Sequence, residues 1–239
     1  MFKSKFLKKN KRYTLIIFVF FTQICLSQIY EVGISYGKSN FIGDVGNTSF
    51  INPKDDIFGG VLKWNRSPRH AYRISFLRSK LSGFDIHSKD PRRIERGFSF
   101  ETPINEFSIG MEFNFFDYDL HDYNVLFTPY IFSGLMYTKF DEQILQNDNL
   151  INTNSSKSTF GIPMIIGLKH RFYDNIILSI EIGARYTFTD KIDGNNLNNE
   201  NLSYNFGNIN NNDWYMFSNF NITYTFGKKP CYCNIDWWI

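Results

Sequence analysis

The chain has 239 residues and a formal net charge of +3, and 18% of it is aromatic, with 26 Phe and 14 Tyr. Six of its cations and none of its acids lie in the first dozen residues, so the basic balance is no footprint of nucleic-acid binding. Three cysteines cannot build a disulfide scaffold, and the fold must rest on hydrogen bonding and packing.

Lys3, Lys5, Lys8, Lys9, Lys11 and Arg12 precede an apolar run from Leu15 to Phe21. That order is the charged and apolar part of a signal peptide, too short to cross a membrane comfortably as a helix. Residues 1–27 are read as this peptide, with a cut after Ser27 that leaves Gln28 first. Bulky Ile24 before Cys25 argues against a lipid-anchored N-terminus. The mature chain then holds 20 Lys+Arg against 23 Asp+Glu, a net charge of −3, and two cysteines, Cys231 and Cys233. No Pro/Gly/Ser linker interrupts residues 28–227, read as one domain, and residues 228–239 form a tail.

Eight segments have strand character, at about 29–37, 57–65, 70–79, 104–116, 124–140, 158–172, 175–188 and 213–226. Most reach the roughly 9–11 residues that a tilted strand needs to cross a bilayer. Their connections alternate in length. Arg66–Arg69, Asp117–Tyr123 and Tyr173–Asp174 are short, whereas Lys38–Asp56, Lys80–Pro103, Asp141–Lys157 and Thr189–Asn212 are long and polar. An even strand number with alternating short and long turns predicts an all-β, eight-stranded antiparallel outer-membrane β-barrel, with short turns and termini in the periplasm and long loops outside. The composition of the Asn-rich stretch Gly194–Asn212 offers no core, and it reads as a surface loop.

The period of two assigns faces. In the last strand Trp214, Met216, Phe220, Ile222, Tyr224 and Phe226 share one face with Ser218, and Asn219, Asn221, Thr223 and Thr225 lie on the other with Tyr215 and Phe217. The same rule sends Tyr30, Val32, Ile34 and Tyr36 of the first strand to lipid and Glu31 inward. Repeated along the chain, it places Glu31, Glu106, Glu112 and Glu181 in the lumen with Lys63, Arg73, Lys169 and Arg185. The fifth strand is bulky and apolar on both faces and yields no assignment. Eight strands enclose room only for side chains, and charges withdrawn from water there must pair. The lumen is therefore expected to be a salt-bridged plug. A proton relay is the alternative use of such charges.

Chemistry is harder to find. His70, His87, His121 and His170 are scattered, Ser88 beside His87 is an ordinary loop neighbour pair, and no phosphate-binding glycine loop or metal-ligand spacing occurs. The expectation is a non-enzymatic protein without cofactor. In the second long loop, "SKDPRRIER", Lys89, Arg92, Arg93 and Arg96 outnumber Asp90 and Glu95. The patch is either a solvated charged loop or a contact for lipopolysaccharide phosphates.

After the last strand, Gly227-Lys-Lys-Pro230 breaks the pattern, and Cys231-Tyr-Cys233 and Trp237-Trp238 follow. Cys-x-Cys alone is too weak a signal for a metal site; a strained disulfide, a link to a partner and two free thiols stay open. Exposed tryptophans are costly unless a membrane interface or a protein partner takes them up.

"YEVGISYGKSNFIGDVGNTSFINP" (Tyr30–Pro53), "LKWNRSPR" (Leu62–Arg69), "EFSIGMEFNFF" (Glu106–Phe116), "FTPYIFSG" (Phe127–Gly134), "EIGARYTFTDKIDG" (Glu181–Gly194) and "NDWYMFSNFNITYTFGKKPCYC" (Asn212–Cys233) together resemble the PorG family of Bacteroidota outer-membrane proteins. The resemblance spans nearly the whole mature chain and departs at "TDKIDG" and at the terminal "NIDWWI". It implies an integral outer-membrane component of the type IX secretion system that supports protein export and gliding motility. The implied partners are outer-membrane lipids and a periplasmic ring of a PorK/GldK-like lipoprotein and a PorN/GldN-like protein. On that reading the partner surface is the periplasmic turns and tail: Arg66, Pro68, Arg69, Tyr118, Tyr123, Tyr173, Lys228, Lys229, Cys231, Cys233, Trp237 and Trp238. Two rivals are a free-standing structural or adhesive barrel that binds surface ligands through its outer loops, and a lipid-modifying enzyme.

Overall fold

The computed structural model describes residues 29–120, 127–146, 149–194 and 212–227. The strands are β1 (Ile29–Ile42), β2 (Asp55–Asn65), β3 (His70–Phe84), β4 (Ser99–Asn114), β5 (Phe127–Gln146), β6 (Asn149–Tyr173), β7 (Ile176–Thr187) and β8 (Trp214–Phe226). Each pairs antiparallel with the next, and β8 closes on β1 from Tyr30↔Phe226 to Ile42↔Trp214. The result is a closed eight-stranded barrel with no free sheet edge around its body. The expected signal peptide, residues 1–27, and the tail, 228–239, lie outside the described residues.

Alternation along each strand is the local cause of the fold. In β3 the burial pattern switches residue by residue from His70 to Lys80, so Tyr72, Ile74 and Phe76 point out while Arg73 and Ser75 point in. This exterior is inside-out by the standards of a water-soluble protein. Ile34, Ile166 and Ile180 are 54%, 68% and 61% exposed, whereas Arg73, Glu112 and Glu181 are at most 1% exposed. Only a hydrocarbon surrounding makes that arrangement favourable. Among the described residues no helix is long and apolar enough to cross a membrane, so the strands do the spanning.

The strands run further outward than the hydrophobic alternation indicates. β1 continues to Ile42 and β3 to Phe84, and a 3-10 turn (Asp85–His87) and a short helix, α1 (Pro91–Arg96), occupy the second long connection. The expected loop at Asp141–Lys157 is instead the outer part of a β5–β6 ribbon, paired from Asp141↔Ser156 to Gln146↔Asn149 with one irregularity between Asp141 and Gln143. Beyond the membrane both faces of a ribbon meet water, so the backbone keeps pairing after the apolar pattern has stopped.

The interior has two layers. The outer half is apolar, with Ile57, Leu77, Leu81, Ile104, Met136, Phe140, Tyr215 and Phe217 packed together. The half nearer the short turns is charged. β5 is illegible in sequence because it fills both layers with large groups: Tyr130, Phe132, Met136 and Phe140 face in, Phe127, Ile131, Leu135 and Tyr137 face out.

Candidate functional site

Glu112 of β4 stands at the centre of the charged layer. One carboxylate oxygen lies 2.6 Å from Lys169 Nζ of β6, the other 2.9 Å from Lys63 Nζ of β2 and 4.0 Å from Arg73 of β3. Arg73 reaches across the barrel to Glu181 of β7 in a two-pronged pair, 2.5 Å at Nη1 and 3.1 Å at Nη2. Glu181 also accepts from Tyr130 Oη and, at 3.0 Å, from Asn219 Nδ2. Glu31 of β1 lies 4.0 Å from Lys63 and is held by Asn65 Nδ2 at 2.8 Å and Thr223 Oγ1 at 3.0 Å. Lys63 and Lys169 flank the Tyr130 ring, each 5.2 Å from its centre.

A second pair sits in the apolar layer. Arg185 Nε is 3.4 Å from Glu106, which accepts from Tyr215 Oη at 2.7 Å, and the guanidinium stacks 4.2 Å from the Phe217 ring centre. All eight charged residues named from the sequence thus lie inside the barrel, each at most 3% exposed. Tyr130, Phe132 and Tyr215 complete the plug, and of these the period of two places only Tyr215 on the inner face.

At the short-turn end, periplasmic in barrels of this kind, the turns are tied to one another. Asn114 donates its backbone N–H to Arg69 O and its side-chain amide to Pro68 O, both at 2.8 Å, and Tyr118 N–H donates to Pro68 O at 3.2 Å. Arg69 pairs with Asp117, and that hydrogen bond holds the Asp117 carboxyl below its usual range. Arg171, which the sequence reading passes over, is buried inside β6 and donates to Asp119 O at 2.6 Å.

The expected partner residues divide here. Arg66, Arg69 and Tyr173 are exposed and Pro68 is partly so. Tyr118 is a correction: its ring is 3% exposed and turns inward beneath the lumen, 5.0 Å from Lys169 and 5.5 Å from Arg171, so it forms the barrel's floor and offers no surface for a partner. Burial raises its phenol pKa above the ordinary value. Tyr123, Lys228, Lys229, Cys231, Cys233, Trp237 and Trp238 lie outside the described residues, as does His121.

The outer end carries a different constellation. Arg96 donates to Asp85 and to Asp44 O, both at 2.8 Å, and Arg93 donates to Gly43 O at 3.0 Å and Gly46 O at 2.9 Å. Half of the basic "SKDPRRIER" patch is therefore a clamp on the β1–β2 loop, while Arg92 stays 91% exposed beside Asp90. Ser88 Oγ accepts from Asp90 N–H, and His87 packs against Phe84. Asp213 joins the loops: its backbone N–H donates to Thr189 O, and its side chain accepts from Ile192 N–H at 2.9 Å. Burial first, then the nearby Asp193 carboxylate, pushes the Asp213 carboxyl well above its usual range. Among the described residues no three His, Cys, Asp or Glu side chains gather closely enough to hold a metal ion.

A closed antiparallel barrel with an apolar exterior and a charge-paired interior defines an eight-stranded transmembrane barrel of the outer-membrane type. The chain belongs to the family described as "Domain of unknown function (DUF6089)", which matches residues 10–235. No curated protein matches it. It is similar to a major outer membrane protein from Thermus thermophilus (12% identity, 83% of this chain and 99% of that one, TM-score 0.48) and to the N-terminal β-barrel domain of Pseudomonas aeruginosa OprF (12%, 84% and 98%, 0.46). It is also similar to Ail, the attachment invasion locus protein of Yersinia pestis (11%, 84% and 100%, 0.44).

Proposed function

We propose that this protein is a non-enzymatic outer-membrane component of the type IX secretion and gliding machinery, exported by a Sec-type signal, that fastens a periplasmic lipoprotein ring to the outer membrane. The resemblance to the PorG family supplies the partners, a PorK/GldK-like lipoprotein and a PorN/GldN-like protein. The observation that carries the mechanical role is the filled lumen. Six charged side chains meet around Glu112, Arg73 and Glu181, with Tyr118 beneath them, and a barrel so packed has no room to pass folded cargo. Its work then falls to its surfaces, and the cross-tied turns around Arg66, Pro68 and Arg69 form a rigid periplasmic face.

The test is to combine Arg66→Glu with Arg69→Glu in the native host. Loss of ring association and of secretion, with the barrel still folded in the outer membrane, is the expected result. Unchanged secretion would remove these turns from the reading. The adhesive alternative draws on the β5–β6 ribbon, whose pairing reaches Gln146↔Asn149 where β4 and β5 last pair at Ile104↔Phe140. It requires ribbon deletion, and not turn charge reversal, to abolish function.

A further inference from the structure

The lipid-facing apolar band is not equally tall around the barrel. On β3 it comprises Tyr72, Ile74 and Phe76, bounded by exposed His70 on one side and exposed Arg78 on the other. On β1 it runs from Tyr30 to Tyr36 and stops at Lys38, and on β2 from Trp64 to Phe58 and stops at Asp56. On β7, across the barrel, the outward positions are apolar from Ile176 to Tyr186, as is exposed Phe188 just past its end, and on β8 all but Ser218 are apolar from Trp214 to Phe226.

At about 3.4 Å per residue the β3 band is about 14 Å long and the β7 band about 41 Å. With a strand tilt of about 40° they stand about 10 Å and about 31 Å tall, against an apolar band of about 25 Å in such barrels. Tilting the whole barrel cannot reconcile them, because β3 and β7 lie on opposite sides and a tilt lengthens neither band. The bilayer must adapt where the mismatch is largest.

The polar groups above the short side have a matching chemistry. Lys38 is paired with Asp56 at 2.9 Å and Lys80 with Glu101 at 2.6 Å. Arg78, which stands opposite Phe58 and Asn105 in the ladder, has no ion-pair or hydrogen-bond partner among the described residues. Asn105 leads on to outward-facing Lys139, a second cation without such a partner among them. A guanidinium left in hydrocarbon at the height of Arg78 would be costly, and a phosphate headgroup drawn down to it removes that cost.

We propose that the β1–β3 face thins the outer leaflet locally by binding phosphate headgroups of outer-membrane lipids through Arg78, one register step above Phe76. This inference is independent of the secretion reading, since it concerns only the lipid-facing wall.

The test uses the full mature chain, with Cys231→Ser and Cys233→Ser, in lipid nanodiscs containing lipopolysaccharide. Single cysteines at outward positions of β3 (70–76 and 80, keeping Arg78) and β7 (176–188) carry nitroxide labels, and collision with oxygen and a polar nickel chelate reports depth. The expected result, with Arg78 in place, is three buried positions on β3, with the label at 80 in the headgroup region, and at least five on β7. A label at 80 as deep as at 74 would overturn the thinning. In an Arg78→Leu background the label at position 80 should sink by one register step; an unchanged depth there would overturn the role given to Arg78.

Discussion

Lys169 Nζ lies 2.6 Å from Glu112 Oε1, joining β6 to β4 across residues 57 apart in sequence, with both side chains at most 1% exposed. Because Glu112 also faces Lys63 at 2.9 Å, one carboxylate balances two ammonium groups.

Removing that carboxylate alone should therefore be worse than removing it together with Lys169. Glu112→Ala leaves Lys169 without its carboxylate and Lys63 with only Glu31 at 4.0 Å, and should lower stability by about 3–5 kcal/mol. Glu112→Leu combined with Lys169→Met leaves Lys63 opposite Glu31 and Arg73 opposite Glu181, and should cost much less. Urea unfolding of the refolded barrel, followed by the mobility difference between folded and unfolded forms on unheated gels, measures both. Equal losses in the two proteins would refute the pairing argument.

Tyr118 should behave as part of the core. Tyr118→Ala takes a buried ring from beneath Lys169 and Arg171 and should cost about 3–5 kcal/mol, whereas Tyr118→Phe keeps the ring and should cost about 1 kcal/mol or less. Ring association at equal barrel abundance should not change in Tyr118→Phe. A specific loss of association would return the residue to the surface.

The outer loops should weaken as pH rises. Asp213 has a folded-state pKa above its unfolded one, so the native state binds more protons. Its contribution is fully present below the ordinary aspartate range and is lost as pH rises through the raised value. Asp213→Asn preserves an oxygen for the Ile192 N–H and should flatten the decline. Hydrogen exchange at the Ile192 amide across this range, in both proteins, is the measurement, and parallel profiles would contradict the assignment.

Arg93 and Arg96 should matter where Arg92 does not. Losing either of the first two frees carbonyls of Gly43, Gly46 or Asp44 and should speed protease cleavage within residues 43–54 on intact cells. Arg92→Ala should leave the cleavage rate unchanged.

Much of this molecule is legible in its sequence because the bilayer imposes a simple code. Strand-like composition and the alternating connections mark all eight strands, and the period of two in all but the fifth sends Glu31, Lys63, Arg73, Glu106, Glu112, Lys169, Glu181 and Arg185 inward. The code fails where its cause is absent. Past the membrane the β5–β6 ribbon has water on both sides, so Asp141–Lys157 reads as a loop. Inside the barrel, β5 replaces polar residues by Tyr130, Phe132 and Met136, which erases the contrast between faces. Tyr118 looks like a turn residue because nothing local records that its ring folds back onto Lys169, a contact between residues far apart in sequence.

We propose that this closed barrel works by holding a periplasmic ring. The most direct measurement is to purify the tagged protein from outer membranes in mild detergent after gentle crosslinking and to identify its companions by mass spectrometry. Recovery of a ring lipoprotein together with its periplasmic partner is the expected result. A barrel recovered alone, at full yield and with crosslinking shown to be effective, would contradict it.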